Sequence, residues 1–261
     1  MQITMVKLST EQKVTFRRDG YIILRGFFSD AEAAKLYQVA THDDHLNKNA
    51  LDLSDQAGKK TKLSLWFTPG NDVFGYLTRS EKMILAISDL LDDNSPVCHY
   101  HSKFMQKEPK IGGAWEWHQD YGYWYKDGCL SPRMISCMIA LDPATKANGC
   151  LKVIPGSHLL GRFEHGVVGN QAGADQARVQ AVIERLGEHY CEAPAGSALF
   201  FHGNTFHASE ANLSDKHRRA YICCYNALSN VPYGGKGHGK PEPIRESPDD
   251  AILRYAGAPG A

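Results

Sequence analysis

The sequence predicts a mostly β protein with flanking helices, folded as a two-sheet jelly-roll barrel, and three observations carry that reading. From residue 98 onward, short β-branched and aromatic runs broken by Gly, Pro and Asn recur at 98–106, 134–141, 150–154, 197–201 and 219–226. Helical patterns gather ahead of these runs. The alternating strand-helix rhythm of a parallel sheet is missing.

Taken in order, Ser9 with Gln12 and Ser29 with Glu32 each fit a capping box, so two helices start there, with a short strand at Tyr21-Ile22-Ile23-Leu24 between them. A third helix is predicted from Ser80 to Leu91, where Ile84, Leu85, Ile87, Leu90 and Leu91 recur at near-helical spacing.

 Residues 172–186, rich in Ala, Gln and Glu, are expected to form a helical insertion between strands. The stretch from Asn230 on, with its Gly/Lys/His run at 234–240, is expected to be irregular and mobile, either a tail or a lid. The whole, 1–261, is expected to be one domain: helices about 9–92, a jelly-roll core about 98–226, and a tail about 230–261.

Bulk properties narrow the function. Lys plus Arg and Asp plus Glu both number 29, and no basic block could track a phosphate backbone, so nucleic acid is not an expected partner. No stretch approaches the roughly 18 apolar residues of a membrane span, and the N-terminus lacks an apolar h-region, so a cytoplasmic, membrane-free protein is expected. The seven cysteines are scattered without CxxC spacing and are expected to be reduced core thiols. Nothing indicates an oligomeric state.

The chemistry centres on Trp115-Glu116-Trp117-His118-Gln119-Asp120, where an imidazole and a carboxylate two residues apart would leave one face of an extended strand. A further histidine, His207, follows the apolar run Ala198 to Phe201. Two His and one carboxylate make a facial triad that leaves open positions on Fe(II) for a bidentate cosubstrate and O₂. His202 is the rival to His207, and a structural or supporting role is expected for it. Arg218, eleven residues past His207, could clamp the far carboxylate of 2-oxoglutarate, with Ser209 adding a hydroxyl. The competing reading of Arg218 is a solvated charge in Lys216-His217-Arg218-Arg219.

With these residues in view, the chain resembles the phytanoyl-CoA dioxygenase family of Fe(II)/2-oxoglutarate oxygenases. The matching segments are DGYIILRGFF (19–28), KFMQKEP (103–109), WHQDYGYW (117–124), NGCLKVIPGSH (148–158) and ALFFHGNTFHASEANLSDKHRR (198–219). The resemblance implies a double-stranded β-helix of cupin-like form, with His118, Asp120 and His207 on the metal. It implies Arg218, Ser209, Lys103 and Met138 around 2-oxoglutarate, and Lys62 as a further pocket lysine. Because Asp120 is intact, it implies hydroxylation of an unactivated C–H bond rather than halogenation, with 2-oxoglutarate giving succinate and CO₂. The expected substrate is a small or medium-sized organic molecule. Trp124 and Tyr121 are candidates for an aromatic substrate wall, with core packing as the alternative, while Trp115 and Trp117 are expected to be structural. A non-catalytic or Zn- or Mn-loaded cupin-like protein that ignores 2-oxoglutarate is the competing class.

Overall fold

The computed structural model describes residues 7–42, 50–168, 171–233 and 241–256. In chain order the elements are α1 (Thr10–Asp19), β1 (Tyr21–Leu24), α2 (Asp30–His42), β2 (Leu51–Ser54), β3 (Lys60–Trp66), α3 (Val73–Thr78), α4 (Glu81–Leu91), β4 (Val97–Lys107) and β5 (Trp115–His118). They continue with α5 (Tyr121–Trp124), β6 (Met134–Ala140), β7 (Leu151–Val153), β8 (His165–Val168), β9 (Gln171–Ala174), α6 (Gln176–Leu186) and β10 (His189–Tyr190). The last are β11 (Ala198–His202), β12 (His207–Ser209), β13 (Arg218–Ala227) and α7 (Ala251–Arg254).

Both N-terminal capping boxes form. Ser9 Oγ accepts from the Gln12 N–H at 3.1 Å while Gln12 Oε1 accepts from the Ser9 N–H at 2.7 Å, and Ser29 and Glu32 exchange the same pair of bonds. Glu32 also accepts from Lys82 Nζ at 2.6 Å, which ties α2 to α4.

The strands make two antiparallel sheets. The larger runs β1-β11-β6-β13-β4-β3-β2, the smaller β10-β7-β12-β5, and β8 pairs with β9 as a separate hairpin. Period-2 alternation divides the large sheet's residues between two faces. Ile135, Cys137, Ile139, Phe200, Tyr221, Cys223 and Tyr225 meet Phe16, Leu36, Leu77 and Ile87 from the helices. Each such large side chain contributes about 1.5–3 kcal/mol when buried. The other face, with Met105, Met134, Met138, Leu199, Phe201 and Ile222, packs with Leu151 and Val153 of the small sheet. Behind the small sheet, Val179 and Val182 of α6 cover Trp117, Phe206 and Ala208. All seven cysteines are free and buried.

Two expectations need correction. The segment 172–186 is not helical throughout, because residues 171–174 pair with β8 and the helix begins only after Asp175, whose carboxylate caps the Arg178 N–H at 2.9 Å. The stretch beyond Asn230 is not loose where it is described: the Ile244 N–H bonds Val97 O, the Ser247 N–H bonds Arg79 O, and Ile252 is fully buried. The run 234–240 lies outside the described residues. No described helix is long and apolar enough to cross a membrane.

Candidate active site

His118 ends β5 and faces His207 at the start of β12 as a register partner. Their rings lie 4.0 Å apart between centroids, and each Nε2 is 3.8 Å from Asp120 Oδ1. One ligand atom from each residue falls within 4.8 Å of the others, and all three residues are buried. Backbone carbonyls select the tautomer, since His118 Nδ1 sits 2.7 Å from Glu116 O and His207 Nδ1 2.9 Å from Thr205 O. With Nδ1 donating, both Nε2 lone pairs are left for the centre.

Electrostatics favour the metal-binding protonation states. Burial and the adjacent His207 push the His118 imidazolium well out of reach, and burial likewise lowers His207 despite the opposing Asp120 charge. For Asp120, burial works against ionisation, but His207, Lys103, His118 and the Ser136 hydroxyl outweigh it and hold the carboxyl below its usual range. Ser136 Oγ donates to Asp120 Oδ2 at 2.5 Å. Two neutral imidazoles and one carboxylate on one side of a point are the donor set that suits Fe(II).

The means of convergence differs from the sequence expectation. The strand stops at His118, and Asp120 is in the right-handed helical region (φ −57°, ψ −38°) at the entry to α5, so a turn rather than strand alternation aims the carboxylate. Gln119 fastens that turn. Its amide donates to Gly161 O and Asn204 O, both at 2.8 Å, and its carbonyl accepts from the Phe163 N–H at 2.7 Å. His202 lies elsewhere: its ring packs 5.4 Å from His158 and its Nδ1 accepts from the Asn204 N–H.

From the triad a narrow cavity lined by Lys103, Met138, Leu151 and Ser209 leads inward, and Met138 and Leu151 also line the adjoining space that contains Arg218. Arg218 is 1% exposed. Its Nε donates to Gly149 O at 3.1 Å, while Nη1 and Nη2 have no hydrogen-bond partner. Burial lowers the guanidinium only to about 10, so it stays charged at neutral pH. A buried cation with two unsatisfied donors fits a carboxylate brought by a ligand, and does not fit a solvated surface charge.

On the other side of His118 a cleft of about 330 Å³ is lined by Leu65, His101, Lys103, Trp115, Tyr123, Trp124 and Asp127, among others. Trp124 lines this cleft while also packing in the core beneath it, at 2% exposure. Tyr121 does not, since it packs away from the cleft with its hydroxyl donating to Cys129 O at 2.9 Å. Lys62 is also misplaced: Leu63 and Leu65 take the site face of β3, so Lys62 points away and pairs with Glu108 at 2.9 Å. Tyr123 and Trp115 take the wall position instead, with ring centroids 5.6 and 6.3 Å from that of His118. His101 and Met105 could have been found by stepping two residues either way from Lys103 along its strand.

Three likenesses bear on this arrangement. Ectoine dioxygenase of Bordetella parapertussis is 27% identical over 245 residues, covering 86% of this chain and 77% of its own length. L-proline trans-4-hydroxylase of Streptomyces griseoviridis is 29% identical, covering 85% and 88%. The crystal structure of EctD from S. alaskensis with bound Fe superposes with a TM-score of 0.76 at 26% identity, covering 92% of this chain and 88% of that one. A family model described as phytanoyl-CoA dioxygenase (PhyH) matches residues 16–220, taking in the triad, Arg218 and every strand except most of β13. The chain belongs to the phytanoyl-CoA dioxygenase family.

Proposed function

We propose that this chain is an Fe(II)/2-oxoglutarate-dependent dioxygenase that hydroxylates an unactivated C–H bond of a small metabolite. The observation that carries the reading is the pairing of a buried His118–Asp120–His207 cluster with a buried Arg218 whose two Nη atoms lack partners, joined by one apolar passage. A binding fold or a metal site indifferent to 2-oxoglutarate has no use for that guanidinium. The two sheets are read as the halves of a jelly-roll, or double-stranded β-helix, barrel, and the chain as one domain in which helices and sheet share a core.

His118, Asp120 and His207 would hold the iron, which when bound supplies O₂ activation coupled to oxidative decarboxylation of 2-oxoglutarate. Ser136 and the two backbone carbonyls orient those ligands. Arg218 and Ser209 would take the distal carboxylate, Lys103 adds positive charge beside the triad, and Met138 packs along the cosubstrate's chain. Phe201, Leu151 and Ile222 keep water from the inner passage. Trp115, Tyr123 and Trp124 would hold the substrate in the outer cleft, whose volume suits a compact polar molecule of the size of ectoine or proline, the substrates that relatives' names carry.

The test is succinate formation from 2-oxoglutarate with Fe(II) and a panel of small cyclic amino acids, set against acyl-CoA thioesters. Turnover stimulated by a small polar compound and abolished by His118→Ala supports the reading. Stimulation by acyl-CoA alone would overturn the substrate class, and full turnover by His118→Ala would overturn the site.

A further inference from the structure

Lys107 closes β4 directly opposite Arg218 on β13, so two cations face one another across a pair of adjacent strands. Both are inside the protein, at 0% and 1% exposure. Like charges directly opposite in a sheet repel, and burial removes the water that would soften the repulsion. Among the described residues neither forms an ion pair with an acid. The acids that act on the pair are engaged elsewhere: Glu210 accepts from Lys152, Asp55 accepts from the N–H groups of Ala57, Lys59 and Ala114, and Asp142 pairs with Arg219.

The lysine's contacts are directional. Its Nζ donates to Ser209 Oγ at 2.7 Å, to Glu210 O at 2.5 Å, and more distantly to Ser209 O at 3.4 Å. A hydroxyl oxygen that accepts from Lys107 has its own proton left to donate elsewhere. Ser209 Oγ belongs to a residue lining the metal cavity, whereas Lys107 does not line it.

We propose that Lys107 is a positioning residue for the cosubstrate: it holds Ser209 so that the hydroxyl donates to the distal carboxylate. Resting on the 2-oxoglutarate reading above, this makes the pocket selective for a dicarboxylate over a 2-oxo acid with no far charge. Burial and Arg218 together drive the Lys107 ammonium well below its usual range, and an entering carboxylate favours its return to the charged form.

The experiment compares two ligands on anaerobic Fe(II)-loaded protein by the visible band of a chelated 2-oxo acid: 2-oxoglutarate, and 2-oxobutyrate, which lacks the distal carboxylate. K107M is expected to weaken 2-oxoglutarate about tenfold, as loss of a charge-assisted contact should, while 2-oxobutyrate binding is unchanged. S209A should do the same, and the K107M/S209A double variant should be little worse than either, because the lysine acts through the serine. An equal loss for both ligands would mean a structural role and overturn the proposal, as would unchanged 2-oxoglutarate affinity. K107Q, whose amide can still donate to the Ser209 and Glu210 carbonyls, gives the same comparison if K107M does not fold. Absence of the band in the wild type would instead overturn the 2-oxoglutarate reading itself.

Discussion

Gln119, between two candidate ligands, offers a perturbation whose size follows from the structure. Its side chain is 0% exposed and makes three hydrogen bonds, to Gly161 O, Asn204 O and the Phe163 N–H. Gln119→Met keeps the length and volume while removing all three. At about 1 kcal/mol net per bond the loss is about 3 kcal/mol, with stranded carbonyls adding to it rather than reducing it. For a chain of this size that lowers Tm by about 6–12 °C. Asn204 lies on the turn that leads into His207, so the same bonds hold the two halves of the triad together. Fe(II) affinity should therefore fall about tenfold. Urea unfolding of the metal-free protein and anaerobic Fe(II) titration measure the two effects separately. A loss under about 1 kcal/mol together with wild-type Fe(II) affinity would refute the clamp.

Other expectations follow from single contacts. Ser136→Ala removes the donor to Asp120 Oδ2 and should weaken Fe(II) binding about 10–100-fold, read by the same titration, with the fold retained by circular dichroism. Lys62→Ala breaks only a half-exposed pair with Glu108, so stability should change by less than about 0.5 kcal/mol and 2-oxoglutarate affinity not at all. Tyr123→Ala should raise the substrate KM about tenfold while leaving the Fe(II) and 2-oxoglutarate dissociation constants in place, whereas Tyr121→Phe should leave all three alone.

The clustering of His118, Asp120 and His207 was legible in the sequence because metal ligation restricts residue type, whereas the burial of Arg218 was legible only through the resemblance, since Lys216-His217-Arg218-Arg219 reads locally as a solvated charge run. The strands at 134–141, 197–201 and 219–226 were legible for another reason: they are central in the large sheet, and burial on both faces writes them as largely apolar runs. Strands β2 and β3 escaped notice because they lie at the sheet's edge, where Lys60, Lys62 and Asp52 interrupt the apolar pattern. The helix expected from residue 172 lost its first turn to a hairpin whose partner strand carries no strong local signal. Tyr123 lines the cleft and Tyr121 does not because the short α5 turns them in different directions, whereas a strand continued past Asp120 would send both the same way. The order of the tail at 241–256 depends on distant backbone groups at Arg79 and Val97, which composition cannot register.

Anaerobic titration of metal-free protein with Fe(II) and 2-oxoglutarate asks whether the buried triad and Arg218 bind both together. The wild type should show the visible charge-transfer band of a 2-oxo acid on ferrous iron, and Arg218→Ala should need far more 2-oxoglutarate to reach it. Bound Fe(II) with no band, or a band indifferent to the loss of Arg218, would contradict that joint binding.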